Sequence, residues 1–169
     1  MDTKEPNIRL NAVMLSAAVI TLISVFPILS LLNVIFCSGV VIGAFTGVSY
    51  FIRNAKQRNM PVEFKDGAFI GLLGGILAAI LVSIFTLAAT MLSGENPMTE
   101  VKDMMGGLLN MNTPEIQNMM QKFSDEFDKY GFSPTISIIT LIMYLLSYSI
   151  FGFLGGILAY SVKMKKKVN

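Results

Sequence analysis

Three long stretches without any charged residue dominate the chain and predict its helices. The charge-free intervals have 43, 28 and 33 residues, and they run from Arg9 to Arg53, from Asp66 to Glu95, and from Lys129 to Lys163. One helix of roughly 20 apolar residues crosses the ~30 Å hydrocarbon core of a bilayer. The second and third intervals therefore predict one membrane span each, over 67–92 and 135–162. The first interval is long enough for two spans.

A break in the first interval is expected near its middle, where Ser30 and Asn33 are the nearest polar residues. Pro27 also disfavours helical geometry at the residue before it. We therefore predict spans over 10–30 and 34–52, joined by a tight turn. Pro27 could instead kink a single helix, but a helix of 43 residues would be about twice too long for a bilayer.

The segment between the third and fourth predicted spans, residues 93–133, is polar enough to lie outside the membrane and too long for a structureless loop. It predicts two amphipathic helices. The first, over 99–110, is weakened by the adjacent Gly106 and Gly107. The second is predicted from Pro114, a favoured first helical residue, to Tyr130, with Gly131 as its stop signal.

The second amphipathic helix carries an apolar row at helical spacing, which we expect to face the membrane surface, the bundle or a partner. This row is Ile116, Met119, Met120, Phe123 and Phe127. The opposite side is expected to face water, and it carries Glu115, Lys122, Asp125 and Asp128.

The distribution of Lys and Arg predicts how the chain is threaded. The two tails and the loop between spans 2 and 3 carry ten basic residues, whereas the segment 93–133 carries three. Both termini are therefore expected in the cytoplasm and the segment 93–133 outside it. The predicted fold class is all-α, a polytopic membrane four-helix bundle forming one domain over 1–169, with an extracytoplasmic amphipathic helical segment between spans 3 and 4.

Small residues recur at intervals of four in the predicted spans and indicate close helix packing. The helix-packing glycines are Gly39, Gly43 and Gly47 in span 2, Gly67, Gly71, Gly74 and Gly75 in span 3, and Gly152, Gly155 and Gly156 in span 4. Spans 3 and 4 share the pattern Gly-X-Leu-Gly-Gly-Ile-Leu-Ala, at 71–78 and 152–159. The repeat is typical of a packing seam, and a pseudo-symmetric gate is the alternative interpretation.

The composition argues against catalytic chemistry. The chain has no His and a single Cys, only 14% of its residues are charged, and its mean hydropathy is +0.64. The absence of His removes the usual general base and imidazole metal ligand, and no predicted span contains a charged residue. We therefore expect no enzyme activity, no cofactor and no metal. Six methionines in 93–133 leave a Cu(I) site as an alternative to an adaptable apolar face.

The chain resembles small four-span bacterial integral membrane proteins of unknown function. The resemblance rests on the close first hairpin, the basic 2–3 loop, Phe64-Lys-Asp-Gly-Ala-Phe69 leading into span 3, Ser133-Pro134 before span 4, Gly152 and the terminal Lys run. It implies a location in the bacterial cytoplasmic (inner) membrane and carries no activity.

These features favour a non-enzymatic membrane protein that acts as a scaffold or assembly subunit, through its glycine seams and its outer amphipathic helix. The alternative is a small passive channel or transporter component formed by oligomerisation. The expected partners are the lipid bilayer and either further copies of the chain or other membrane proteins. A net charge of +2 gives no indication of nucleic-acid binding.

Overall fold

The computed structural model describes residues 7–26, 37–93 and 114–165, and within these ranges the secondary structure is helical. The helices are α1 (Ile8–Val25), α2 (Ser38–Gln57), α3 (Phe64–Ser93), α4 (Pro114–Tyr130) and α5 (Pro134–Lys165). The all-α prediction is confirmed for this part of the chain. The predicted helix over 99–110 lies outside the described residues.

Three of the described helices, α1, α3 and α5, are long and apolar enough to cross a membrane. The helix α2 has 20 residues but carries Arg53 and Lys56 near its end, so its charge-free part, 38–52, is only 15 residues long. By length and composition, the described residues therefore support a membrane-spanning protein with three candidate spans. Residues 34–36 of the predicted second span lie outside the described residues.

The observed helix ends differ from the predicted ones for local reasons. The helix α1 ends at Val25 rather than at residue 30, because Phe26 is already extended, as expected of a residue before proline. The helix α2 starts at Ser38, since Cys37 has the left-handed backbone angle φ 50°. The helices α3 and α5 begin slightly before their predicted spans, and α5 continues to Lys165.

The chain forms two compact units, the first of which contains Met1–Val82 and Met143–Asn169. In this unit α1 and α2 pack against each other, and the glycine-rich parts of α3 and α5 pack against them. The buried core consists of two clusters. One contains Ile8, Ala12, Val13, Val48, Phe51, Ile52, Ala55, Ile70 and Ala159, and the other contains Ala17, Ile20, Val40, Ala78, Ala79, Val82 and Tyr148.

The second unit, Ser83–Ile142, contains the end of α3, the whole of α4 and the start of α5. Residues 131–133 connect α4 to α5. Gly131 has φ +75°, and its N–H donates to the Phe127 carbonyl over 2.7 Å. This is the helix-ending role that the sequence predicts for Gly131, because glycine adopts the left-handed region without steric cost.

Candidate functional site

The helices α3 and α5 touch backbone to backbone along a row of glycines. A Cβ atom on Gly71 would collide with the carbonyl oxygen of Gly152, and one on Gly67 would lie 2.9 Å from the carbonyl oxygen of Gly156. Each step of four along α3 is matched by a step of four backwards along α5, so the two helices are antiparallel. Only glycine permits this approach, which gains dispersion contacts and weak Cα–H···O interactions.

Gly75 continues this seam, because a Cβ there would collide with the carbonyl oxygen of Tyr148 on α5, whereas Gly43, Gly47, Gly74 and Gly155 face α1 or α2. A Cβ on Gly47 would lie 2.6 Å from the Ala12 carbonyl oxygen, and one on Gly74 would collide with the Ser16 hydroxyl. Gly43 lies against Ile20 in the same way, and Gly155 lies against Val41 and Ala44 of α2. Gly39 is buried.

The repeated Gly-X-Leu-Gly-Gly-Ile-Leu-Ala pattern thus lies on two helices that contact each other directly. Its first glycines, Gly71 and Gly152, are paired, whereas its second glycines, Gly74 and Gly155, contact α1 and α2 respectively. One copy of the pattern therefore packs a helix on two neighbours at once. Backbone contact along this seam leaves no room for a solute between α3 and α5 at these residues.

Hydroxyl groups in the bundle bond inside the protein or lie buried among apolar groups. The Tyr148 hydroxyl donates to Ser24 of α1 over 2.9 Å, and the Tyr148 ring lies 5.3 Å from that of Tyr144. The Ser16, Thr21 and Ser49 hydroxyls are buried without a hydrogen-bond partner in the described part of the chain. The Tyr148 hydroxyl therefore links α5 to α1 inside the first unit.

Asp66 forms a buried ionic junction at the start of α3. Its carboxylate is only 5% exposed, accepts the Glu63 N–H over 2.9 Å and lies 2.9 Å from the Arg9 guanidinium of α1. The bond to Glu63 is half of a capping box, which satisfies one of the free N–H groups at a helix start. Because Arg9 belongs to α1, this junction also fixes α1 against α3.

Glu126 joins α4 to the N-terminus of α5. Its carboxylate accepts hydrogen bonds from the Ser133 hydroxyl (2.6 Å), the Thr135 hydroxyl (2.6 Å) and the Thr135 N–H (3.1 Å). The Ser133 hydroxyl in turn accepts the Ile136 N–H, so Ser133 is the N-cap of α5. An acidic group at a helix N-terminus is also favoured by the helix dipole.

This arrangement stabilises the charged form of Glu126. Hydrogen bonds from Ser133 and then from Thr135 lower the pKa of the Glu126 carboxyl, and the nearby Lys122 ammonium lowers it further. The carboxylate therefore keeps its charge, and its acceptor role, at neutral and mildly acidic pH.

The predicted apolar row of α4 becomes more exposed towards the start of the helix. Phe127 is buried at 9% exposure, Met120 and Phe123 are half-buried, and Met119 is 56% exposed. Met119 is the most exposed of these side chains because it lies at the edge of the row, next to the polar side of the helix. The side chain of Ile116 lies outside the described residues.

The polar side of α4 is exposed at each of its predicted residues, Glu115, Lys122, Asp125 and Asp128. At the end of the helix, Tyr130 is half exposed, its ring lies 6.5 Å from that of Phe132, and the Lys129 ammonium lies 4.9 Å from the Tyr130 ring centre. The end of α4 therefore carries a small aromatic and cationic cluster next to the start of α5.

Sequence reasoning missed the roles of Asp66 and Glu126. Asp66 served only to mark the edge of a charge-free interval, although it follows Glu63 at capping-box spacing. Glu126 was one acid among seven in the outer segment. A carboxylate shortly before the Ser133-Pro-Thr135 helix start was the available signal for a contact across the turn.

The remaining predicted features are only partly covered by the structure. Of the methionines in the possible soft-metal cluster, Met98, Met104, Met105 and Met111 lie outside the described residues. Cys37 is half-buried beside the second core cluster. Lys163 and Lys165 are exposed, and Lys163 lies 5.9 Å from the ring centre of Phe45.

Comparison of the chain with protein-family models, with curated protein sequences and with solved structures finds no match.

Proposed function

We propose that this protein is a non-enzymatic integral membrane protein that acts as an assembly subunit, with α4 as the element that meets its partners. The observation that carries the proposal is the separation of two kinds of surface. The seam glycines named above pack inside one chain, whereas α4 exposes its polar side and part of its apolar row. Assembly with partners would then use α4 and not the glycine seams.

The helix α5, which follows α4 after three residues, supplies its connection to the membrane. Large apolar side chains on α5 are exposed, which suits a lipid-facing surface; they include Ile138, Ile139, Ile142, Met143, Leu146 and Ile150. The buried clusters of the first unit are apolar apart from hydroxyl groups and the Asp66 junction at its edge. In this proposal the membrane part anchors the chain and conducts nothing.

The proposed topology has four spans, because α2 is counted as a span in addition to α1, α3 and α5. Both termini lie in the cytoplasm of a bacterium. The clustering of basic residues supports it. Reporter fusions at Lys65 and at Lys129 are expected to report opposite compartments. The same compartment for both would rule out this topology and the placement of α4 outside the cytoplasm.

Site-specific photocrosslinking in native membranes tests the assembly role. A crosslinker at Asn118, on the exposed polar side of α4, should give a discrete protein adduct. The matched control is Leu146, which is 58% exposed on α5 and should contact lipid. Adducts from Leu146 but not from Asn118 would contradict the role of α4.

A second measurement distinguishes the assembly role from the alternative of a passive channel. Purified protein in vesicles should give no flux of small ions or neutral solutes above that of empty vesicles. Reproducible flux, together with a ring-shaped oligomer in mild detergent, would replace the assembly proposal with a passive channel.

A further inference from the structure

We propose that the apolar row of α4 docks on the lipid surface beside α5, with the helix lying at headgroup level, so that partners meet only its polar side. The residues of this row that would meet lipid are Met119, Met120 and Phe123. This inference rests on the membrane placement of α5 in the proposed function. It commits the apolar row to lipid and not to a protein partner.

The first argument is the height of α4 relative to the apolar surface of α5. Only residues 131–133 separate the two helices, and Glu126 ties the last turns of α4 to the first turn of α5. On α5, exposed large apolar side chains begin at Ile138 and Ile139, about one helical turn after Pro134. The end of α4 is thus held within about one turn of the surface that would meet hydrocarbon.

The second argument is the aromatic and cationic cluster at the end of α4. Lys129 and Tyr130 in the last turn of α4 lie together with Phe132 of the connection to α5, and Tyr130 is half exposed. Tyrosine side chains are enriched at the boundary between hydrocarbon and water, and lysine side chains extend along it. The cluster marks the depth at which an interfacial helix would lie.

The third argument is the charge of α4, which decides the kind of lipid contact. The helix has four acidic residues and two lysines, so its net charge is −2. Attraction to anionic headgroups therefore cannot hold it on the membrane, and apolar insertion must do so. Because α4 is joined to a membrane helix by three residues, a weak interaction is sufficient, as in any tethered binding event.

The absence of Trp from the chain permits a direct test with introduced tryptophans. The full-length protein is reconstituted in phosphatidylcholine vesicles whose acyl chains carry bromine, a contact quencher of tryptophan fluorescence. Met119→Trp is compared with Gln121→Trp, which lies roughly 200° around the same helix and is exposed. We expect the fluorescence of Trp at position 119 to be quenched at least twofold more than at position 121.

A second variant and a change of lipid keep the test decisive. Phe123→Trp replaces one aromatic ring by another and so disturbs the helix less than Met119→Trp does. Its fluorescence should be quenched to the same extent as that of Met119→Trp. Adding anionic phosphatidylglycerol should leave the quenching unchanged or reduce it. Equal quenching at positions 119, 121 and 123 would overturn the proposal.

The outcomes also separate this inference from the proposed function. A quenched position 119 without any protein adduct at Asn118 would support lipid docking and contradict the assembly role. An unquenched position 119 that instead crosslinks to protein would overturn lipid docking and leave the assembly role intact.

Discussion

Replacing Gly71 by alanine should destabilise the bundle, although alanine is the better helix former. The added Cβ would lie 3.0 Å from both the Gly152 carbonyl carbon and the Gly156 Cα, and still closer to the Gly152 oxygen. Ordinary contacts begin at 3.4 Å, and backbone atoms cannot rotate away. Relief therefore requires α3 and α5 to separate by more than a few tenths of an ångström along the seam.

The size of the effect follows from two opposing contributions. Overpacking of a close contact costs about 1–3 kcal/mol. The change from glycine to alanine returns roughly 0.8–1 kcal/mol through helix propensity. We therefore expect Gly71→Ala to lower the free energy of unfolding by up to ~2 kcal/mol, and Gly71→Leu to lower it further.

Reversible unfolding in mixed detergent micelles, followed by circular dichroism, measures this change. Ala88→Leu is the matched control, because Ala88 lies on α3 with an exposed side chain. The control should unfold like the parent. Wild-type stability for both Gly71 variants would refute the backbone-contact interpretation of the seam.

A companion experiment separates backbone contact from side-chain contact. At Gly74 the added Cβ would meet the Ser16 side chain, which can be removed. The double variant Gly74→Ala/Ser16→Gly should therefore regain much of the stability lost in Gly74→Ala. The Gly71→Ala variant cannot be rescued in this way, because the added Cβ meets backbone atoms, which no substitution removes. Absence of any rescue would show that α1 and α3 are closer than this reasoning requires.

Three further predictions concern single polar groups. Arg9→Gln should cost about 1–3 kcal/mol because it leaves the Asp66 carboxylate buried without its charged partner; Lys65→Gln, which breaks a solvent-exposed pair, should leave stability in the same unfolding assay essentially unchanged. Ser16→Ala should be neutral or stabilising there, since it removes a buried hydroxyl without a partner in the described chain. Glu126 has a pKa below its ordinary 4.5, so its stabilisation is complete above that pH and is lost as the pH falls through the lower folded-state value; the hydrogen-exchange protection factors of α4, which correct for the slower intrinsic exchange in acid, should therefore fall, and Glu126→Gln should weaken this dependence.

The sequence predicts helix bounds well where residues at the helix ends carry local start and stop signals. The amphipathic helix Pro114–Tyr130 has the bounds that a first-turn proline and a stop glycine indicate. The polar residues Ser30 and Asn33 predict an end of α1 at residue 30, whereas the helix ends at Val25. The backbone restriction that Pro27 places on Phe26 acts before those polar residues are reached.

Tertiary partners are what the sequence could not supply. The glycine pattern predicts close packing, but it does not say that Gly71 meets Gly152 while Gly74 meets Ser16. Asp66 and Glu126 look like ordinary solvated acids until α1 and α5 are brought beside them. The edge position of Met119 likewise depends on how α4 is rotated against its neighbours.

The seam between α3 and α5 also has a consequence for the order of assembly during synthesis. Its two halves, around Gly71 and Gly152, are separated by about half of the chain, and residues 114–130 are made between them. The α1–α2 hairpin and its contact with α3 can form as soon as α3 is inserted, since chains are made from the N-terminus. Until α5 arrives, however, the glycine face of α3 has no backbone to meet. A nascent chain halted before Pro134 would present that face to the insertion machinery or to a chaperone within the bilayer.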